Sequence, residues 1–185
     1  MHSCLHTLLA PIRRTEVVDV GANPIDGTPP YASMLAAGLC NVTGFEPQPE
    51  AFAALSQKAG AQERYLPYAV GDGGAHTLNL CVASGMASLF EPDPATLRLF
   101  DVLGPMGTVT GRLPVQTRRL DDIAEIGALD FLKIDIQGGE LAVFKGGTAK
   151  LAHTVAIQTE VSFITLYRNQ PVLGDVDLEL RRQGF

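Results

Sequence analysis

Acidic side chains mark the ends of three short apolar runs in this sequence, at Asp19, Glu46 and Asp135. In a buried strand that is where the chain turns into a loop and a polar group becomes useful. Residues 19–23, Asp-Val-Gly-Ala-Asn, close the β-branched run 16–21. Gly21 has no side chain, so ligand atoms can approach the backbone there, although an isolated turn of this kind is equally a structural device. Glu46 strengthens the ligand reading, because a carboxylate at the end of the second strand can accept hydrogen bonds from both hydroxyls of a ribose. Its competing role is to cap the helix that begins at Pro49.

The loop that follows disfavours one class of ligand. A backbone that cradles a pyrophosphate needs GxGxxG, and this chain has GANPIDG at 21–27. S-adenosylmethionine carries a ribose, an adenine and a zwitterionic tail but no phosphate, and suits a looser acidic pocket.

The reaction is expected at the end of the strand 130–136. Open α/β sheets bind ligands at the carboxyl ends of their strands, near the point where strand order reverses. Lys133 and Asp135 alternate onto one face of that strand, and Gln137 follows on the same parity. Asp135 is the leading catalytic candidate, orienting an acceptor hydroxyl or removing its proton for an in-line displacement. Lys133, Glu140 and Glu160 join it as catalytic candidates. For Lys133 the structural alternative is an ion pair with Asp135 or Glu160, and for Glu140 it is the favourable place of an acid in a helix's first turn. Clustered carboxylates could also hold Mg²⁺, but no metal ligands are assigned. His2, His6, His76 and His153 show no ligand spacing. Residues 85–89 are read either as a mobile lid over the acceptor or as an ordinary loop with Met86 and Leu89 packed inward, and Tyr167, Arg168 and Gln170 as lining the acceptor side.

Strands and helices alternate around these positions. Strands are expected at 16–21, 41–46, 64–70, 130–136 and 154–161. Helices are expected from Thr28-Pro29 to Gly38 and over 49–59, 140–151 and 176–183. The pattern predicts a parallel sheet covered on both faces. Residues 76–120 read as an irregular insertion or flap and 1–15 as an amino-terminal extension of one domain spanning 1–185. That length suits one core. A formal net charge of −6 disfavours nucleic acid as a partner. Cys4, Cys40 and Cys81 are odd in number and widely spaced, so neither disulfides nor zinc are indicated. The amino terminus lacks a basic leader and a cleavage pattern, and no apolar run approaches the roughly 20 residues of a membrane helix, which makes a cytoplasmic protein the expectation.

Six segments occur in an order that resembles the FkbM family of methyltransferases: DVGAN at 19–23, FEPQPEAF at 45–52, AVGD at 69–72, TRRLDDI at 117–123, DFLKIDIQGGEL at 130–141 and TEVSF at 159–163. The resemblance implies a Rossmann-like class I methyltransferase fold, an α/β architecture with a mostly parallel sheet flanked by helices. It implies an S-adenosylmethionine-dependent O-methyltransferase whose acceptor is a hydroxyl of a sugar, other glycan or small secondary metabolite. Asp19, Gly21 and Asn23 would cradle the donor, Glu46 would hold its ribose, and Val70 and Asp72 would lie near adenine. Ala22, Gly71 and Gln137, within or beside these motifs, are counted with the donor site. Two departures stand out. Ile25 occupies the place of a second loop glycine, which comes instead at Gly27, and the sequence stops at Gly184-Phe185, where the resemblance implies two more strands, the last antiparallel. A noncatalytic donor-binding or interaction domain is a second reading, and a nicotinamide-dependent oxidoreductase a third.

Overall fold

The structure, a computed structural model, describes residues 12–23 and 27–185. Cys4, His2, His6, Ile25 and most of the amino-terminal extension lie outside the described residues.

Five parallel strands form the central sheet: β1 (Thr15–Val20), β2 (Cys40–Phe45), β3 (Glu63–Leu66), β7 (Phe131–Ile134) and β8 (Ala156–Thr159), in the order β3-β2-β1-β7-β8. The chain moves outward from β1 through β2 to β3 and returns to the other side of β1 at β7. The strand order therefore reverses between β1 and β7, and their carboxyl ends diverge into a crevice. Helices cover both faces, as the continuous apolar runs require. On one face Val18, Val20, Leu132 and Ile134 pack against Val143, Phe144, Leu151 and Val176. On the other, Val17, Cys40 and Val42 pack under Tyr31, with Met34 and Leu35 alongside. The α/β architecture expected from the sequence is the one observed.

Four boundaries differ from expectation, each for a local reason. Helix α1 spans only Ala32–Ala36, with Tyr31 as its N-cap. Pro30 disfavours a helical conformation at Pro29, so the helix cannot begin there. Helix α2 is Pro49–Lys58, as read. The run 64–70 is two strands, because Pro67 has no N–H to continue the ladder. β3 stays with β2, and β4 (Ala69–Val70) pairs in parallel with β6 (Val109–Arg118). β6 in turn pairs antiparallel with β5 (Ala75–Cys81), giving a second, three-stranded sheet. Residues 76–120 thus contain a long hairpin, together with the short helices α3 (Pro94–Leu97) and α4 (Leu103–Met106). The helix expected over 140–151 is broken into α5 (Glu140–Lys145) and α6 (Thr148–Leu151). At Gly147 a β-carbon would stand 2.6 Å from Leu120 and 3.0 Å from the Val143 carbonyl, so the break lets the chain pass over the core. The fourth difference is at the end: α7 covers Leu173–Gln183 and starts three residues early, where Asp175 accepts a hydrogen bond from the Val172 N–H.

Among the described residues no helix is long and apolar enough to cross a membrane. Cys40 and Cys81 are buried free thiols.

Candidate active site

The carboxyl ends of β1, β2 and β7 open into a cavity with about 710 Å³ of empty space, part of it facing solvent. Its floor is Gly21, Asn23 and Ile136, one wall is Phe45 and Glu46, and Tyr68, Val70 and Leu78 close the far end. Ser84, Gly85, Ala87 and Leu89 roof it. Met86 points the other way, into a cluster with Cys81 and Leu97. Of the two residues that the ordinary-loop reading packs inward, Met86 does so and Leu89 faces the cavity.

Gly21 is demanded by the protein before any ligand arrives. Its φ is +79°, and a β-carbon there would run into the Asp135 carbonyl oxygen. The β1 loop and the end of β7 approach so closely that only glycine fits. The N–H groups of Gly21 and Ala22 both donate to the Phe45 carbonyl, 3.1 Å in each case, which ties the loop to β2 as well.

Beneath the loop lies a buried charge network. Asp19 is 2% exposed. It accepts a hydrogen bond from the Tyr31 hydroxyl at 2.6 Å. Lys133, its register partner on β7, brings Nζ to 3.1 Å from Oδ1 and donates to the Gly21 carbonyl at 2.9 Å. The Oδ1 contact is ionic without hydrogen-bond geometry. Burial pushes the Asp19 carboxyl above its ordinary range, against the opposing pull of Lys133 and Tyr31. Lys133 therefore pairs with Asp19, not with Asp135 or Glu160 as the sequence suggested. The register explains it: side chains of Asp19, Lys133 and Gln158 project from three adjacent strands on one face. They line a second cleft with Ala22, Thr28, Pro29 and Pro30, and Asn23 and Asp135 border both spaces.

Glu46 is likewise 2% exposed and borders the main cavity. Of the two roles read for it from sequence, the contact with the start of α2 is the one on view: Oε1 accepts from the N–H of Gln48, the residue before Pro49, at 2.8 Å. Burial raises its pKa, while the backbone N–H groups of Gln48 and Asn23 hold it down. Phe45 and Tyr68 stack with ring centroids 6.3 Å apart, and the Arg118 guanidinium lies 3.5 Å from the Tyr68 centroid.

At the end of β7, Gln137 donates to Asp135 Oδ1 at 3.0 Å and to Glu160 Oε2 at 2.7 Å. Three of the four catalytic candidates behave differently from Asp135, which alone borders the main cavity. Lys133 opens onto the second cleft. Gln137 links Glu160 to Asp135. Glu140 is buried in the first turn of α5, where its carboxylate accepts from the Ile136 N–H at 2.9 Å, and burial raises its pKa. Among the described residues no three or more His, Cys, Asp and Glu side chains gather as metal ligands.

A family described as the methyltransferase FkbM domain matches residues 19–185. The chain belongs to this family. The FkbM-family chain is also 29% identical to the 2-O-methyltransferase NoeI of Sinorhizobium fredii (strain NBRC 101917 / NGR234), a match covering 88% of the chain and 70% of that protein. No solved structure gives a significant match.

In this FkbM-family chain, five donor-site candidates line the main cavity, Gly21, Asn23, Glu46, Val70 and Gln137, together with Asp135 from the catalytic set. Asp19 and Ala22 border the second cleft instead, and Gly71 and Asp72 border neither space. The Asp72 carboxylate turns back to accept from the Gly74 N–H at 2.8 Å, and it meets His76 and Thr117 besides. These contacts, the Gly74 N–H first, hold its pKa below the usual carboxylate range. Sequence reasoning missed Tyr31, Tyr68 and Ser84. Tyr68 was absorbed into a strand that Pro67 interrupts, a signal present in the sequence. Tyr31 and Ser84 reach the site only through tertiary packing.

Proposed function

We propose that the chain is an S-adenosylmethionine-dependent O-methyltransferase acting on a hydroxyl of a sugar or a small secondary metabolite. The observation that carries this reading is the placement of buried Glu46 and the strand-end carboxylate Asp135 on one cavity at the strand-order reversal.

The residues present fit the donor. Glu46 is an acceptor-only group once ionised and takes hydrogen bonds from ribose hydroxyls. Phe45, Tyr68, Val70 and Leu78 offer adenine an aromatic and aliphatic wall. The loop 21–23, backed by the Asp19–Lys133 pair, holds the zwitterionic tail. When bound, S-adenosylmethionine supplies an electrophilic methyl carbon. Asp135 orients the acceptor hydroxyl and takes its proton, and the roof over 84–89 excludes water. The acceptor class draws support from the name of the related 2-O-methyltransferase.

Calorimetric titration of the purified chain with S-adenosylmethionine, S-adenosylhomocysteine and NAD tests the reading. Binding of the first two and not of NAD is expected. NAD binding alone would replace the reading with an oxidoreductase. Donor binding with no methylated product from a panel of methyl glycosides and phenols would leave a donor-binding domain.

A further inference from the structure

Gln137 touches the carboxylates of Asp135 and Glu160, the roof of the cavity and a buried tyrosine. Its side-chain N–H groups go to Asp135 and Glu160. Its Oε1 accepts from the Tyr167 hydroxyl at 3.2 Å. Its backbone carbonyl accepts from Ser88 Oγ at 2.7 Å. The amide orientation follows from its neighbours, because ionised carboxylates only accept and must face the nitrogen, leaving the oxygen for the hydroxyl. Gln137 adopts φ +57°, a left-handed conformation that is costly for a non-glycine residue. The surrounding bonds offset that cost.

Tyr167 is the anchor. It is 1% exposed, and its hydroxyl lies within hydrogen-bond distance of the Met86 carbonyl, 3.1 Å, as well as of Gln137. Gln170 fixes the backbone beneath it by accepting from the N–H groups of Leu166 and Tyr167 and donating to Ser162 Oγ. Tyr167 does not border the cavity, so any effect it has on chemistry passes through Gln137 or the roof.

We propose that Gln137 is a positioning residue for methyl transfer, aiming the carboxylate of Asp135 at the acceptor hydroxyl, and that Tyr167 acts through Gln137. This rests on the methyltransferase reading above. Two adjacent carboxylates repel, and an amide that donates to both holds them side by side at a defined angle. A misplacement of about 1 Å at a reacting group can cost about 100-fold in rate, which makes the orientation worth a dedicated residue.

The test compares Gln137→Met, Tyr167→Phe and the double variant with the wild-type chain. Tyr167→Phe keeps the buried ring and removes only the hydroxyl. With methyl glycosides bearing a free 2-hydroxyl as acceptor probes, Gln137→Met is expected to lower kcat about 10- to 100-fold and Tyr167→Phe about 3- to 10-fold. The donor KM should stay within about twofold, and the double variant should match Gln137→Met alone. Independent losses that multiply in the double variant, or a raised donor KM with kcat intact, overturn the proposal. A readout needing no acceptor is the ¹⁵N-edited spectrum of the Gln137 side-chain amide. Exchange-protected protons in the wild type and lost protection in Tyr167→Phe support positioning, and an identical spectrum in both overturns it. The underlying reading fails separately, if the wild-type chain binds no S-adenosylhomocysteine.

Discussion

Glu46 is a buried acid, and the ribose role proposed for it needs the ionised form. Burial favours its protonated form, so its folded pKa stands above the ordinary 4.5. The sign of its effect on folding follows. Its contribution to stability is present below the unfolded value and is lost as pH rises through the raised one. Under the proposed ribose role ligand binding runs the other way, because ribose hydroxyls need the carboxylate as acceptor. Affinity for S-adenosylhomocysteine is expected to grow as pH rises from 4.5 through the raised pKa and to level off above it. Glu46→Gln should flatten that profile and weaken binding by about 1 to 3 kcal/mol at neutral pH. Calorimetry across pH 5 to 8 on both proteins checks it. Unchanged affinity in the variant removes Glu46 from the donor site.

The loop after β1 shows how neighbouring elements set the limits on a residue. Gly21 meets the Asp135 carbonyl on one side, and its N–H bonds Phe45 on the other, so β1, β2 and β7 all constrain it. Lys133, also on β7, adds a further tie by donating to the Gly21 carbonyl. Gly21→Ala must therefore push the ends of β1 and β7 apart as well as force alanine to a positive φ. A loss of about 2 to 4 kcal/mol in urea unfolding is expected, with weaker donor binding in whatever fraction remains folded. A variant as stable as the wild type would mean that the two strand ends tolerate separation. In α5 and α6 the same logic acts without chemistry, since Gly146 and Gly147 break a helix so that the chain can cross Leu120.

The whole molecule joins two sheets through the short link between β3 and β4, where the chain leaves one ladder and enters the other. The five-stranded sheet holds the larger core, with Val18, Val20, Leu132 and Ile134 nearly inaccessible. The hairpin sheet carries the roof of the cavity and a smaller cluster around Met86 and Leu97. Hydrogen exchange should follow that division: amides of β1 and β7 slowest, those of β5 and β6 opening earlier. Saturating S-adenosylhomocysteine is expected to slow exchange over 84–89 and at Gly21 and Ala22. Protection confined to the five-stranded sheet would argue that the roof takes no part in binding.

The alternation of strand and helix, the glycine turn at Gly21 and the acids at Glu46 and Asp135 were legible in the sequence. Local chemistry sets each of them: β-branched runs make buried strands, and a polar residue at a strand end has somewhere to go. The family resemblance was legible for the same reason, as it rests on these short motifs. Which acid meets which base was not. Lys133 lies two residues from Asp135 in the chain, yet strand register delivers it to Asp19. Asp72 belongs to a motif implied to lie near adenine, yet a turn at Gly74 and Thr117 takes up its carboxylate. Gln137 was legible as a neighbour of the site, and only the packing of Tyr167 and Ser88 against it revealed its links to both carboxylates and the roof. Sequence determines which groups stand at strand ends; pairing among those groups is a property of register and of loops that meet from distant parts of the chain, and tertiary structure alone decides it.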